Sequence, residues 1–217
     1  MQKKVIIFDL DGTLLNTLND LTDSTNYVLK KYNYPQRTVN EVRNFVGNGV
    51  PKLIERALPN GKTNPHFEEC LEDFKHYYSQ NMFNKTSPYD KVILILSQLH
   101  QEGLKIAVAS NKFDTAVKGL CNKYFGDLVD FAIGEDEKNG ISKKPNPSMI
   151  LTVMKKYSLR AEEVLYVGDS EVDILTAENA GVDSLSVTWG FKSREFLENH
   201  GAKIIIDSPV QISEYIN

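Results

Sequence analysis

Six short, largely apolar runs constrain what this 217-residue chain can fold into. Val5-Ile6-Ile7-Phe8 is uniformly apolar, the pattern of a strand buried on both faces, as in a parallel sheet. Similar runs recur at 106–109, 131–133, 164–167, 185–187 and 204–206. Helical stripes lie between them. Val92, Ile95, Leu96 and Leu99 share one face, as do Ile150, Val153, Met154 and Tyr157. Strands alternating with helices predict βαβ units and an α/β fold, a Rossmann-like parallel sheet core.

One stretch breaks the rhythm. After Thr17 the chain reads as helices only, until about Asn84. Leu18, Leu21, Thr25, Val28 and Leu29 form a stripe, and Phe45, Val46, Leu53, Ile54 and Ala57 suggest two short helices. A further helix near 67–83 carries Leu71, Phe74 and Tyr78 on its inner side. Thr86-Ser87-Pro88 then punctuates the return to the α/β pattern. The expectation is a helical cap at 16–84, inserted into a core made of 1–15 and 85–217.

Composition excludes some partners. With 25 basic and 29 acidic residues the net charge is −4, which offers no basic face for nucleic acid. The longest aliphatic run, Val92-Ile93-Leu94-Ile95-Leu96, is far short of the ~20 residues that span a bilayer. Only four apolar residues follow Met1-Gln2-Lys3-Lys4 before Asp9, too few for a secretory signal. Cys70 and Cys121 make neither a disulfide framework nor a CxxC motif. A reducing, cytoplasmic setting is expected, with no nucleic-acid or membrane partner; the oligomeric state is left open.

Chemistry-bearing residues gather at the strand ends. Asp9 and Asp11, in Asp9-Leu10-Asp11-Gly12-Thr13, lie two apart on an extended segment and face one crevice, where open α/β sheets bind ligands. Asp11-Gly12 also reads as a turn with Asp9 a surface charge. Asp169 ends another buried strand, with Asp173 one helical turn on; Asp169 or Ser170 also suits a helix N-cap. Ser110 ends a third strand and fits either a phosphate-binding hydroxyl or a cap for a helix near Phe113. Lys143 and Lys144 supply cations just before a helix. Four aspartates in one cleft repel each other and any anionic substrate, and one lysine returns a single charge. A hard divalent cation held by oxygen ligands resolves the conflict, and Mg²⁺ suits a shell shared with a substrate phosphate.

These pieces, in this order, resemble the four motifs of the haloacid dehalogenase superfamily of phosphohydrolases, and the likeness covers essentially the whole chain. The insertion after the first motif resembles the small helical cap of the phosphoglycolate phosphatase and β-phosphoglucomutase branch. Val46-Gly47-Asn48-Gly49 and Trp189-Gly190-Phe191 look most like the phosphoglycolate phosphatase-like group. The resemblance implies that the first strand lies between those carrying Ser110 and Asp169. It further implies Asp9 as nucleophile, forming an aspartyl-phosphate, and Asp11 as general acid and base. Asp9, the Asp11 carbonyl and Asp169 would hold Mg²⁺, with Asp173 behind them. Ser110, the backbone at Asn111, and Lys144, which stands immediately before proline, would bind the phosphoryl oxygens. Arg43, Asn48 and Lys52 would meet the leaving group of a small phosphorylated metabolite, although Gly47 and Gly49 also read as helix ends.

The retained Asp11 disfavours dehalogenase and phosphonatase chemistry, both of which lack that aspartate in this superfamily. A phosphosugar mutase keeps both aspartates, but Gly168 stands where the mutase relatives carry an acidic residue. Pyrophosphate remains an alternative substrate. A phospho-acceptor signalling module is the alternative from another class, opposed by the helical insertion and by the lack of an acceptor aspartate after 131–133.

Overall fold

The computed structural model describes residues 2–216. By internal contacts the chain divides into two units, Met1–Leu15 with Pro88–Asn217, and Asn16–Ser87.

The first unit is a Rossmann-like α/β fold. Its strands are β1 (Val5–Phe8), β4 (Lys105–Phe113), β5 (Phe131–Glu135), β6 (Val164–Gly168), β7 (Asp183–Val187) and β8 (Ile205–Ile206). They form one sheet in the order β5-β4-β1-β6-β7-β8, with every pairing parallel. The apolar runs therefore do become doubly buried strands. Val5 and Ile7 face one side, packed with Met149, Ile150 and Val153 of helix α7 (Ser148–Tyr157) and Ala177 of α8 (Glu171–Ala180). Ile6 and Phe8 face the other side and are equally buried. The remaining helices of this unit are α5 (Val92–Gln101), α6 (Asp114–Tyr124) and α9 (Arg194–Asn199). Among the described residues no helix is long and apolar enough to cross a membrane.

The second unit contains α1 (Leu18–Lys31), α2 (Val39–Phe45), α3 (Val50–Ala57) and α4 (Phe67–Asn81). Leu21, Val28, Leu29, Val42, Leu53, Ile54, Phe74 and Tyr78 are all buried, which is the stripe pattern of the sequence realised as a helical core. Thr38 and Glu41 form a capping box that starts α2. Gly49, at φ 84°, is the N-cap of α3, so the glycines after Val46 do serve as helix boundaries. Asp20 of α1 is buried, and its carboxylate accepts hydrogen bonds from Lys85 N at 3.0 Å, Thr86 N at 2.8 Å and Thr86 Oγ1 at 2.8 Å.

A two-stranded ribbon, β2 (Leu15–Asn16) with β3 (Ser87–Pro88), lies outside the predicted strands. Two residues each are too few to leave a periodic signal.

Candidate active site

Parallel strands on both sides of β1 bring three strand ends to one edge of the sheet. Phe8 pairs with Val108 of β4 and with Val167 of β6. Asp9 follows immediately, and its N–H donates to Val167 O at 2.8 Å. This is the crevice at the carboxyl ends of the strands, where connections diverge to either side. The order around β1 is the one the family resemblance implies.

Strand β4 runs further than predicted, and its register with β5 shifts between Ser110 and Phe113. Such an irregularity re-aims side chains at a strand end. Ser110, Asn111 and Lys112 are all buried here. Ser110 does not cap a helix, because α6 begins only at Asp114, after Phe113 in extended conformation. Its Oγ instead accepts a hydrogen bond from Lys112 N at 3.3 Å. Asn111 grips the loop before α7: Lys144 N donates to Asn111 Oδ1 at 2.6 Å, and Asn111 Nδ2 donates to Lys144 O at 3.1 Å.

That grip sets Lys144 among the carboxylates. Its Nζ lies 2.8 Å from Asp9 Oδ1 and 2.7 Å from Asp173 Oδ1, and donates to the Tyr166 hydroxyl at 3.1 Å. Tyr166 in turn donates to Asp173 Oδ1 at 2.9 Å. Asp173 Oδ2 accepts from Ser170 N and Ser170 Oγ at 3.1 and 2.7 Å, closing a capping box at the start of α8. Ser170 is thus the helix cap, and Asp169 is not. Lys143, the other candidate cation, points to Glu135 and Glu137 instead, at 3.6 and 3.5 Å.

Asp169 Oδ2 accepts a hydrogen bond from Phe191 N at 2.6 Å. Three glycines make room around these acids. A Cβ at Gly12 (φ 89°) or at Gly190 would collide with Asp169, and one at Gly168 would collide with Asp173. Beside them, Trp189 Nε1 donates to Thr13 O at 3.0 Å.

The electrostatics are those of an anion cluster short of positive charge. Burial pushes Asp9 up to about 7, with Lys144 pulling it down and Asp173 and Asp11 pushing it up. Asp169 is held well above the ordinary carboxylate range by burial, then by Asp173 and Asp9. Burial opposes the Lys144 ammonium, yet Asp173 and Asp9 outweigh it and keep that lysine charged. One oxygen each from Asp9, Asp169 and Asp173 lies within 4.8 Å of the others, all three residues buried. At 2.8 Å, Asp9 Oδ1 and Lys144 Nζ form an ion pair, and no other described donor reaches that oxygen. An all-oxygen, buried and under-compensated set of this kind fits a hard cation such as Mg²⁺.

Asp9, Asn111, Lys144, Asp169 and Asp173 are thus joined by contact or by proximity, and Ser110 stands beside Asn111 on the same strand end. Asp11 is half-buried and pairs with a further cation, Lys112, whose Nζ lies 3.2 Å from Asp11 Oδ1. Lys112 and Tyr166 have no place in the predicted site, and no spacing rule singles them out. Arg43, Asn48 and Lys52 belong to the helical unit: Arg43 is exposed in the last turn of α2, Asn48 precedes the cap of α3, and Lys52 pairs with Glu55 at 2.6 Å.

Comparison with known proteins agrees with this geometry. The family model for haloacid dehalogenase-like hydrolases matches residues 6–187, more than half of the chain. A phosphoglycolate phosphatase from Vibrio parahaemolyticus is 34% identical over 98% of this chain and 96% of its own length. The crystal structure of a candidate phosphoglycolate phosphatase from Lactobacillus delbrueckii subsp. bulgaricus superposes with a TM-score of 0.94 at 36% identity, covering 100% of this chain and 99% of that one. A second, from Haemophilus somnus, gives 0.91 at 31% identity, covering 100% and 99%. Strand order, acid cluster and full-length similarity agree, and the chain belongs to the haloacid dehalogenase-like hydrolase family.

Proposed function

We propose that this hydrolase is a Mg²⁺-dependent phosphatase that cleaves a small organic phosphate monoester, phosphoglycolate or a close analogue, through an aspartyl-phosphate on Asp9. The observation that carries the reading is Asp9 itself. It is a buried carboxylate whose Oδ1 meets only the Lys144 ammonium among the described donors, and it is flanked by Asp169 and Asp173. The name borne by full-length relatives supports the choice of ester.

Asp9, the backbone carbonyl of Asp11, and Asp169 would hold Mg²⁺, whose charge would offset the repulsion between carboxylates and a phosphoryl group. Asp173 keeps its oxygens on Lys144, Tyr166 and Ser170, so its task is to fix the lysine. Ser110, the Asn111 backbone and Lys144 take the phosphoryl oxygens, orient phosphorus toward Asp9 and stabilise transition-state charge. An Asp9 oxygen bonds to phosphorus as the ester P–O bond breaks, and the departing oxygen takes a proton from Asp11. Water then attacks the aspartyl-phosphate, Asp11 recovers a proton from it, and inorganic phosphate leaves with Asp9 restored. Choice among esters is assigned to Arg43, Asn48 and Lys52 on sequence grounds alone.

A panel of phosphoglycolate, pyrophosphate and hexose phosphates, assayed with Mg²⁺ and with chelator, tests the reading. Phosphate release is expected with Mg²⁺, lost in chelator and restored by excess Mg²⁺, with phosphoglycolate giving the highest kcat/KM. Full activity in chelator removes the metal from the account. Phosphate moved between hydroxyls with little net release marks a mutase instead.

A further inference from the structure

The phosphatase scheme gives no task to Lys112, although its side chain is only 2% exposed. Burying an ammonium group costs several kcal/mol unless an anion and hydrogen bonds compensate it. The Lys112 Nζ lies 3.2 Å from Asp11 Oδ1. The Lys112 backbone N–H reaches Ser110 Oγ. The lysine thus joins the shifted end of β4 to the acid–base aspartate of the β1 loop.

We infer that Lys112 is a positioning residue for Asp11, holding in place the carboxyl group that exchanges a proton with the leaving group. The inference rests on the phosphatase reading above. Asp11 sits next to Gly12, whose φ of 89° marks a turn, and its side chain is 19% exposed. An ammonium group on Oδ1 restricts rotation of this carboxyl group and lies beside the charge that the carboxyl gains when it gives up a proton. In the first step the Asp9–phosphorus bond forms and the ester P–O bond breaks. The ester oxygen keeps the electron pair and takes the proton from the Asp11 carboxyl group. Asp11 becomes a carboxylate whose new charge lies beside the ammonium. Positioning of this kind converts a mobile acid into one held in line with the departing oxygen.

Leaving-group dependence separates this role from a structural one. The oxygen of p-nitrophenol departs as a stable anion and needs no proton, whereas the alkoxide of phosphoglycolate does. The parameter kcat/KM covers events up to departure of the alcohol, so it isolates the step in which Asp11 donates. With Mg²⁺ present, Lys112→Met and Lys112→Gln are expected to lose about 10- to 100-fold in kcat/KM on phosphoglycolate, part of the 10²–10⁴ that general acid catalysis supplies. On p-nitrophenyl phosphate the same variants lose at most about threefold, as the term they impair contributes little there. Asp11→Asn should lower kcat/KM on both esters and more on phosphoglycolate, Lys112→Arg should recover part of the Lys112 loss, and the Asp11→Asn, Lys112→Met double variant should be no worse than Asp11→Asn alone. Partial unfolding scales both esters alike and leaves their ratio unmoved. A ratio unchanged from wild type in the Lys112 variants overturns the inference. A wild-type enzyme that releases phosphate from neither ester overturns the phosphatase reading instead.

Discussion

Two buried aspartates, one in each unit of the chain, are treated in opposite ways by their surroundings. Asp20, in the helical unit, spends both oxygens on neutral donors from Lys85 and Thr86. Asp9, in the α/β unit, has one oxygen that meets only a lysine among the described donors, beside two further acids. A carboxylate whose lone pairs are used up is a fastening: it ties α1 to the chain at 85–86 and has nothing left to offer. A carboxylate buried with capacity unspent holds free energy that a bond to phosphorus or a metal can release. Burial alone therefore does not mark a functional acid. The state of its lone pairs does.

Substitutions at these positions test the contrast. Asp9→Asn should lower phosphatase turnover by about 10³-fold or more, since the amide is a poor nucleophile. Its thermal midpoint should match or exceed that of the wild type, because one member of a mutually repelling acid cluster is neutralised while Lys144 keeps its pair with Asp173. Wild-type turnover in this variant would place the nucleophile elsewhere. Asp20→Ala should do the reverse and destabilise the helical unit by about 2–4 kcal/mol, the cost of leaving buried donors unmet, read as a shift in the urea midpoint. A midpoint within error of wild type would show that Asp20 is no fastening.

Glu163 carries the smallest effect and extends the comparison to the other end of the sheet. The Arg160 N–H at 2.8 Å and Lys4 at 2.7 Å hold its carboxyl down at about 2, from an ordinary 4.5. A depressed folded-state value means that this group adds stability above the unfolded value. That contribution is lost as pH falls from about 4.5 through about 2. Glu163→Gln should flatten that part of the stability profile, and an identical acid limb in the two proteins would deny Glu163 the role.

Asp9, Ser110 and Asp169 were legible because each ends a buried strand or opens the segment after one, and the topology of an open sheet gathers such ends. Asp173 follows Asp169 at helical spacing, and Lys144 stands just before a helix. The helical unit was legible for a related reason, since stripes at helical spacing survive any tertiary arrangement. Lys112 was not: a lysine after a strand reads as a solvated charge until the register shift buries it. Tyr166 was hidden inside a run of strand residues, where an aromatic ring suits the core and nothing announces that its hydroxyl meets Lys144 and Asp173. The room that Gly168 and Gly190 leave for Asp173 and Asp169 is visible only in the fold, because a close approach between segments leaves no periodicity behind.

The pairing of β1 bears on the order of assembly during synthesis. Val5 pairs with Lys105 on one side and Val164 on the other. Of the six strands of this sheet β1 is made first, yet it must wait for its neighbours, since such distant contacts need the intervening chain. The helical segment 16–87 is complete before either neighbour exists, whereas Asp9 meets Lys144 only after the whole stretch between them has been made. A nascent chain truncated before Lys144 has every reason to keep Asp9 in water.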